Sequence, residues 1–455
     1  MHFCIIAIVG FHTCTPYTMN VYRTSLILSA IGVVTIMIHL RRKARARALQ
    51  PERDTRIRKK PRKPRVWCNP YLSRRDQLGV YSTLLQELRN ENPITFKNYL
   101  RIEKDLFDEM VIALTPHLTK PSTNFRDNIS VGLKLACTLR ILATGDSLKS
   151  AHYTWRTGHS TISKFLPQVC QAIIDVYSPI YMKLPNTTAE WLAIADDNLR
   201  LWNYPNCLGS IDGRHVRIRK PPHSGSLYYN YKGYTSIILM AIADGKYRFI
   251  YVNIGAEGSA GDSGCWRNTK FHEQIENGEA NIPDDKALPN QEEIIMPYHF
   301  VGDNAFAMRT WLITPYTQHT DNEAARTFNY RLSRQRRIVE NTFGILVARF
   351  RILQRAMDFT LSTNKLVTMA CCVMHNMCIN KYPPREKDLD KYNEEGKLVE
   401  AGEWREGTKE LDELRKKARK YSEQIKQQRN VLAGYFMGKA QVPWQRKSIL
   451  HQFQN

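Results

Sequence analysis

Apolar residues recur at helical spacing in the first half of the chain. Leu84, Leu85 and Leu88, then Phe107, Met110, Val111 and Leu114, keep to one face of a 3.6-residue period. This predicts a helical region over 66–185. Between 205 and 380 strand-like and helix-like runs alternate, which predicts a mixed α/β domain. Cys207–Ile218 reads as a strand with Leu208, Ser210, Asp212, Arg214, Val216 and Ile218 on one face. Tyr234–Asp244 and Tyr247–Ile254 read as two strands joined by a turn at Asp244-Gly245. Tyr298–Asp303 is a short apolar strand. Ser333–Leu353 is a helix whose stripe is Phe343, Leu346, Val347 and Phe350. The tail, 381–455, is highly charged and reads as an exposed helix with disordered joints.

One helical segment has the rhythm of a helix-turn-helix, over about 130–170. Ser130–Ala143 is an apolar-striped helix stopped by Gly145, Leu148–Trp155 a short second helix, and Arg156–Gly158 a turn. His159 or Ser160 would cap a third helix. In such motifs the start of the last helix enters the major groove, here with Ser160, Thr161 and Lys164. Ordinary helix packing produces the same rhythm. Pro167 predicts that the third helix is kinked or short.

Charge sharpens this picture. The 455 residues carry a formal charge of +23 and are 43 % apolar, enough for two or three domains with real cores and a surplus that suits a polyanion. The surplus is densest between Arg41 and Arg65, where thirteen Lys or Arg face only Glu52 and Asp54. A solvated linker, a nuclear import signal and a nonspecific nucleic-acid arm are the readings, with a functional role favoured. The expected location is the nucleus, and also the cytoplasm. Thr24–Leu40 is uncharged and mostly apolar, marginal against the roughly 20 residues of a membrane span. Anchoring in a membrane through 24–40 is therefore the alternative, with the basic flank cytoplasmic. Phe3–Phe11 lacks the basic flank of a signal peptide. Residues 1–65 are set apart as an apolar leader and basic linker. No CxxC pair is followed by a second pair or by spaced histidines, so the ten cysteines point to reduced, buried thiols rather than zinc.

Certain carboxylates sit poorly with a structural role. Asp is disfavoured inside a strand, yet Asp212 falls in one; a turn at Asp212-Gly213 between two short strands is the competing reading. Asp303 follows a strand end, where α/β sheets place ligands, although a helix-capping Asp reads the same way. Glu340 lies three residues before Phe343 and seven before Val347, on the buried stripe, with Arg336 one turn earlier as a local partner. Asp262, in a Gly-rich loop, is a second-rank ligand. Asp244 belongs to the turn. Gathered in one site, three carboxylates suit two divalent cations and in-line attack on a phosphodiester. Mg²⁺ fits a site with few carboxylates.

LGSIDGRHV around Asp212, GAEGSAGDS around Asp262, VGDNAF around Asp303, RRIVENTFGILVARFRIL around Glu340 and the helix ACCVMHNMCI together resemble the PIF/Harbinger transposases and the Harbinger transposase-derived nucleases of animals. GVYSTLLQELRNEN, FKNYLRI and LRILATGDS extend the likeness upstream, so that it covers roughly 67–380. The resemblance implies an RNase H-like catalytic domain, a mixed five-stranded sheet with flanking helices, preceded by a helix-turn-helix region. It implies a divalent-metal-dependent DNA endonuclease using Mg²⁺ or Mn²⁺, with Asp212, Asp303 and Glu340 as catalytic metal ligands. It also implies double-stranded DNA as partner and a Myb-like accessory protein; a homo-oligomer is a further expectation. Ser160, Thr161, Lys164 and Arg214 are the expected DNA contacts. A domesticated, catalytically silent DNA-binding protein is the alternative. Arg214 stands where the family often has Thr, and Gly261 where it usually has His. Cys371, Cys372 and His375 share an apolar helix and read as core.

Overall fold

The computed structural model describes residues 16–48, 69–119, 128–316, 322–384, 389–392, 398–402, 405, 412–413 and 423–445. Two compact units are present, Met1–Trp67 and Cys68–Asn455. In the first, α1 (Pro16–Ala48) takes in the apolar stretch and the start of the basic run. The rest of that run, residues 49–65, and Phe3–Phe11 lie outside the described residues. Among the described residues no helix is long and apolar enough to cross a membrane.

The second unit opens with helices: α2 (Pro70–Ser73), α3 (Arg75–Leu78), α4 (Leu84–Glu91), α5 (Pro93–Leu100), α6 (Lys104–Leu118), α7 (Val131–Thr144), α8 (Leu148–Thr154), α9 (His159–Tyr181) and α10 (Thr188–Trp202). The caps follow the local sequence. Ser130 Oγ accepts from the Leu133 amide at the start of α7, and Gly145, at φ 70°, ends it. Gly158 precedes α9, so neither His159 nor Ser160 is the cap. Nor is α9 short: it runs 23 residues through Pro167. Ile162, Phe165, Leu166, Val169, Cys170 and Ile173 are buried along it, and that burial outweighs the lost backbone hydrogen bond.

The sheet follows. β1 (Cys207–Arg217), β2 (Ser236–Ala243) and β3 (Phe249–Glu257) form an antiparallel meander. Helices α11 (Asp262–Arg267) and α12 (Lys270–Glu276) and a hairpin of β4 (Lys286–Leu288) and β5 (Gln291–Met296) intervene. β6 (His299–Val301) and β7 (Leu312–Ile313) then add parallel to β1, giving the order β3-β2-β1-β6-β7. This is the expected five-stranded mixed sheet. A short strand, Asp412–Glu413, also pairs with β1 beside Arg214 and His215. Flanking it are α13 (Glu323–Arg349), a 3-10 turn (Arg351–Gln354), α14 (Leu361–Lys381) and α15 (Glu423–Met437).

Both faces of β1 are covered. One core cluster joins Phe107, Leu142 and Ile173 of the helical region to Val216, Phe249, Phe343 and Cys372. On the other side Leu208 and Ile211 pack with Trp191, Phe271 and Phe300. A register shift between Cys207 and Gly209 separates Leu208 from Val216 and Ile218, which the alternation alone places on one face. The tail also departs from expectation. Rather than lying exposed, α15 buries Leu432, Tyr435 and Phe436 against Tyr204, Phe328 and Leu332.

Candidate active site

Asp212 stands in the middle of β1, opposite Ala241 of β2. The turn reading of Asp212-Gly213 is therefore excluded. The residue is 4 % exposed. Oδ1 accepts a hydrogen bond from the Gly213 amide at 2.9 Å. Oδ2 faces Arg214 Nη2 at 3.1 Å, yet no well-directed hydrogen bond reaches this buried oxygen. Burial pushes the Asp212 carboxyl up to about 6, a rise that Asp303 and Glu340 reinforce and that Arg214 and Arg336 oppose. Asp212 thus feels the charge of both other carboxylates.

Asp303 lies just beyond β6, the fourth strand of the main sheet in chain order, and is 3 % exposed. Its Oδ1 accepts from the Ala305 amide at 2.9 Å in a turn, so it caps no helix. Gly302 lets this strand end come close: a Cβ there would meet Ile211 Cγ2 and Phe306 Cδ2 at 3.0 Å. Any larger residue would push Asp303 away from β1.

Glu340 is on α13. The stripe arithmetic puts it on the buried face, but a third of its side chain, 34 %, is exposed. Ile338, Val339, Asn341 and Thr342 take the buried positions of that turn and leave Glu340 at the margin. There it pairs with Arg336 at 3.3 Å. The helix is fixed over β1 by polar contacts. Ser210 Oγ donates to the Gln335 carbonyl at 2.8 Å, Gln335 Nε2 to Asn198 Oδ1 at 2.7 Å, and Asn198 Nδ2 to the Cys207 carbonyl at 2.9 Å. The Arg214 guanidinium lies 5.7 Å from the Phe343 ring centroid. Ser210 and Arg214 both turn to α13, so Asp212 between them shares that face.

The donor chemistry fits a hard divalent cation: three carboxylates, one of them offering a buried oxygen without a good hydrogen bond. The spacing does not close around one. Among the described residues no group of three acidic, His or Cys side chains is close enough to hold a metal ion. Two arginines take the facing oxygens instead.

Other expected site residues are dispersed. Asp262 heads α11, but its side chain lies outside the described residues. Ser160 and Lys164 are exposed on the first turns of α9, and Thr161 is half-buried. Arg214 is 5 % exposed, so the expected surface contact with DNA is not met: it is spent on Asp212. That pairing was legible, since strand residues two apart share a face. The Ser210–Gln335–Asn198 chain has no sequence signal. Cys371, Cys372 and His375 are fully buried, with His375 Nε2 2.8 Å from the Tyr247 carbonyl, as the core reading requires.

Residues 211–376 match the family model described as DDE superfamily endonuclease. An ALP1-like protein of Arabidopsis thaliana is 26 % identical over 64 % of this chain and 71 % of its own length. Human HARBI1, named as a candidate nuclease, is 26 % identical over 48 % of this chain and 59 % of its own. The Arabidopsis thaliana protein named Antagonist of Like Heterochromatin Protein 1 is 26 % identical over 64 % of this chain and 76 % of its own. No solved structure matches. All three carboxylates lie inside the stretch that matches the DDE superfamily endonuclease model, on a sheet and helix of the expected order.

Proposed function

We propose that this chain cuts phosphodiester bonds of double-stranded DNA, with Asp212, Asp303 and Glu340 as a divalent-metal-binding triad. The observation that carries the reading is geometric: Asp212 on the central strand offers a buried oxygen without a well-directed hydrogen bond, Asp303 follows the end of the neighbouring strand β6, and Glu340 stands on the helix that packs over β1. Bound Mg²⁺ or Mn²⁺ would activate the attacking water or 3′-hydroxyl and stabilise the leaving oxygen. The chain's own part is to hold Asp212 rigid in a strand, Asp303 against it through Gly302, and Glu340 over it on α13. Arg214 and Arg336 neutralise the acids meanwhile. Ser160, Thr161 and Lys164 on α9 are the proposed DNA contacts, with Asp262 a second-rank ligand. A nuclear location, a Myb-like accessory protein and a homo-oligomer complete the proposal.

A second reading is a silent DNA-binding protein of transposase descent. The two arginine–carboxylate pairs favour it, because they satisfy the acids without metal. Cleavage of labelled duplex DNA with Mg²⁺ or Mn²⁺ separates the two, comparing wild type with Asp303→Asn and Glu340→Gln. Cutting that falls at least about a hundredfold in both variants supports the triad, since a metal contributes several kcal/mol to such a transition state. Cutting that survives in both overturns it. DNA binding without cutting by wild type supports the silent reading.

A further inference from the structure

Away from the acidic site, four arginines surround a cavity of about 470 Å³: Arg101, Arg140, Arg351 and Arg355. Asp146 is the one carboxylate in its lining. The arginines come from three stretches of chain. Arg101 follows α5 in the left-handed conformation, φ 63°. Arg140, on α7, donates to the Tyr99 carbonyl at 3.0 Å and lies 4.1 Å from that ring's centroid. Arg351 opens the 3-10 turn after α13 and Arg355 follows it. Gly145 is what allows the approach: a Cβ there would come within 3.1 Å of Ile352 Cα and Arg355 Cδ.

Gathering cations in this way costs free energy unless a counter-charge is supplied. Among the described residues no carboxylate pairs with Arg101 or Arg351, and the buried Nε of Arg351 has no hydrogen-bond partner. Burial, together with Arg351, Arg140 and Arg349, holds Arg101 below the ordinary arginine range. A concave group of four guanidinium forks with a single carboxylate, Asp146, in its lining is complementary to a phosphate, which accepts two parallel hydrogen bonds from one arginine.

We propose that this cavity binds a backbone phosphate of the DNA duplex, as an anchor separate from the acidic triad. The proposal rests on the reading of DNA as substrate. Arg349, the last residue of α13, lies nine residues beyond Glu340, roughly 14 Å by helical rise, and Arg351 follows it at the start of the 3-10 turn. That helical span is about four base steps at 3.4 Å each, so a phosphate held beyond it would set where the duplex crosses the carboxylates.

The test is binding, not cutting. The full chain is titrated against a random-sequence duplex without divalent cation over a range of salt, and its melting is followed with inorganic tripolyphosphate. Arg101→Gln/Arg351→Gln should weaken duplex binding roughly tenfold and lower the slope of log affinity against log salt by about one to two. Unchanged affinity and slope in that variant, with wild type binding duplex, overturn the anchor and leave DNA as substrate standing. Wild type that binds no duplex sinks the substrate reading as well. If tripolyphosphate then still stabilises wild type and not the variant, the cavity serves a free polyphosphate and the DNA anchor is overturned. Should the double variant misfold, the exposed Arg355→Gln decides: a slope lowered by about one supports the anchor, and an unchanged slope overturns it.

Discussion

Asp212 shows how one side chain is shaped by its surroundings. In the middle of a strand covered on both faces it has little water, and its carboxyl rises to about 6 even with Arg214 at 3.1 Å. Two histidines feel the same burial with the opposite result. His299 falls to about 4 and His375 to about 3, because loss of water disfavours their charged form. Their folded values lie below the unfolded value near 6.5, so their contribution is complete above that pH and is lost as pH falls toward the folded values. Each should cost about 1.4 kcal/mol per pH unit in that window. Asp212 acts oppositely between about pH 6 and pH 4, because the folded state there keeps a proton that the unfolded chain has lost. Comparing melting of wild type and His375→Gln from pH 7.5 to 5 isolates one histidine: the variant's fall with pH should be shallower by about that amount, and parallel curves would exclude it.

At the scale of elements, what matters is how α13 is seated. Asn198 reaches both β1, through the Cys207 carbonyl, and α13, through Gln335. Asn198→Ala strands both of these buried partners, and should cost about 1–3 kcal/mol in denaturant unfolding. It should also lower cutting more than DNA binding, since it touches neither α9 nor the arginine cavity. A stability change under about half a kcal/mol would show that α13 is seated by packing alone. The elements themselves were largely legible. The helix rhythm across 130–170, the Asp244 turn and the short strand before Asp303 all follow from period and turn chemistry. Glu340's exposure did not, because a helix buried on most sides has no single stripe from which to read an angle.

For the whole molecule, the charged tail proves to contain part of the core. Phe436 is fully buried, close to Tyr204 and Phe328, and Arg331 lies over its ring. Phe436→Ala should cost about 3–5 kcal/mol, and a chain ending at 384 should expose Tyr204, Phe328 and Leu332 and aggregate. A melting temperature unmoved by Phe436→Ala would remove α15 from the core. Local properties of the chain were enough for the helical and α/β regions, the burial of the seven described cysteines, the basic surplus and the choice of three candidate carboxylates, because period, side-chain chemistry and charge belong to each segment wherever it lies. Only the tertiary structure decided that Arg214 answers Asp212, that Glu340 sits at the rim, that the tail closes the core and that arginines from three stretches share one cavity. Those are distances between groups remote along the chain, and they are set by which faces pack together rather than by any residue's own preference.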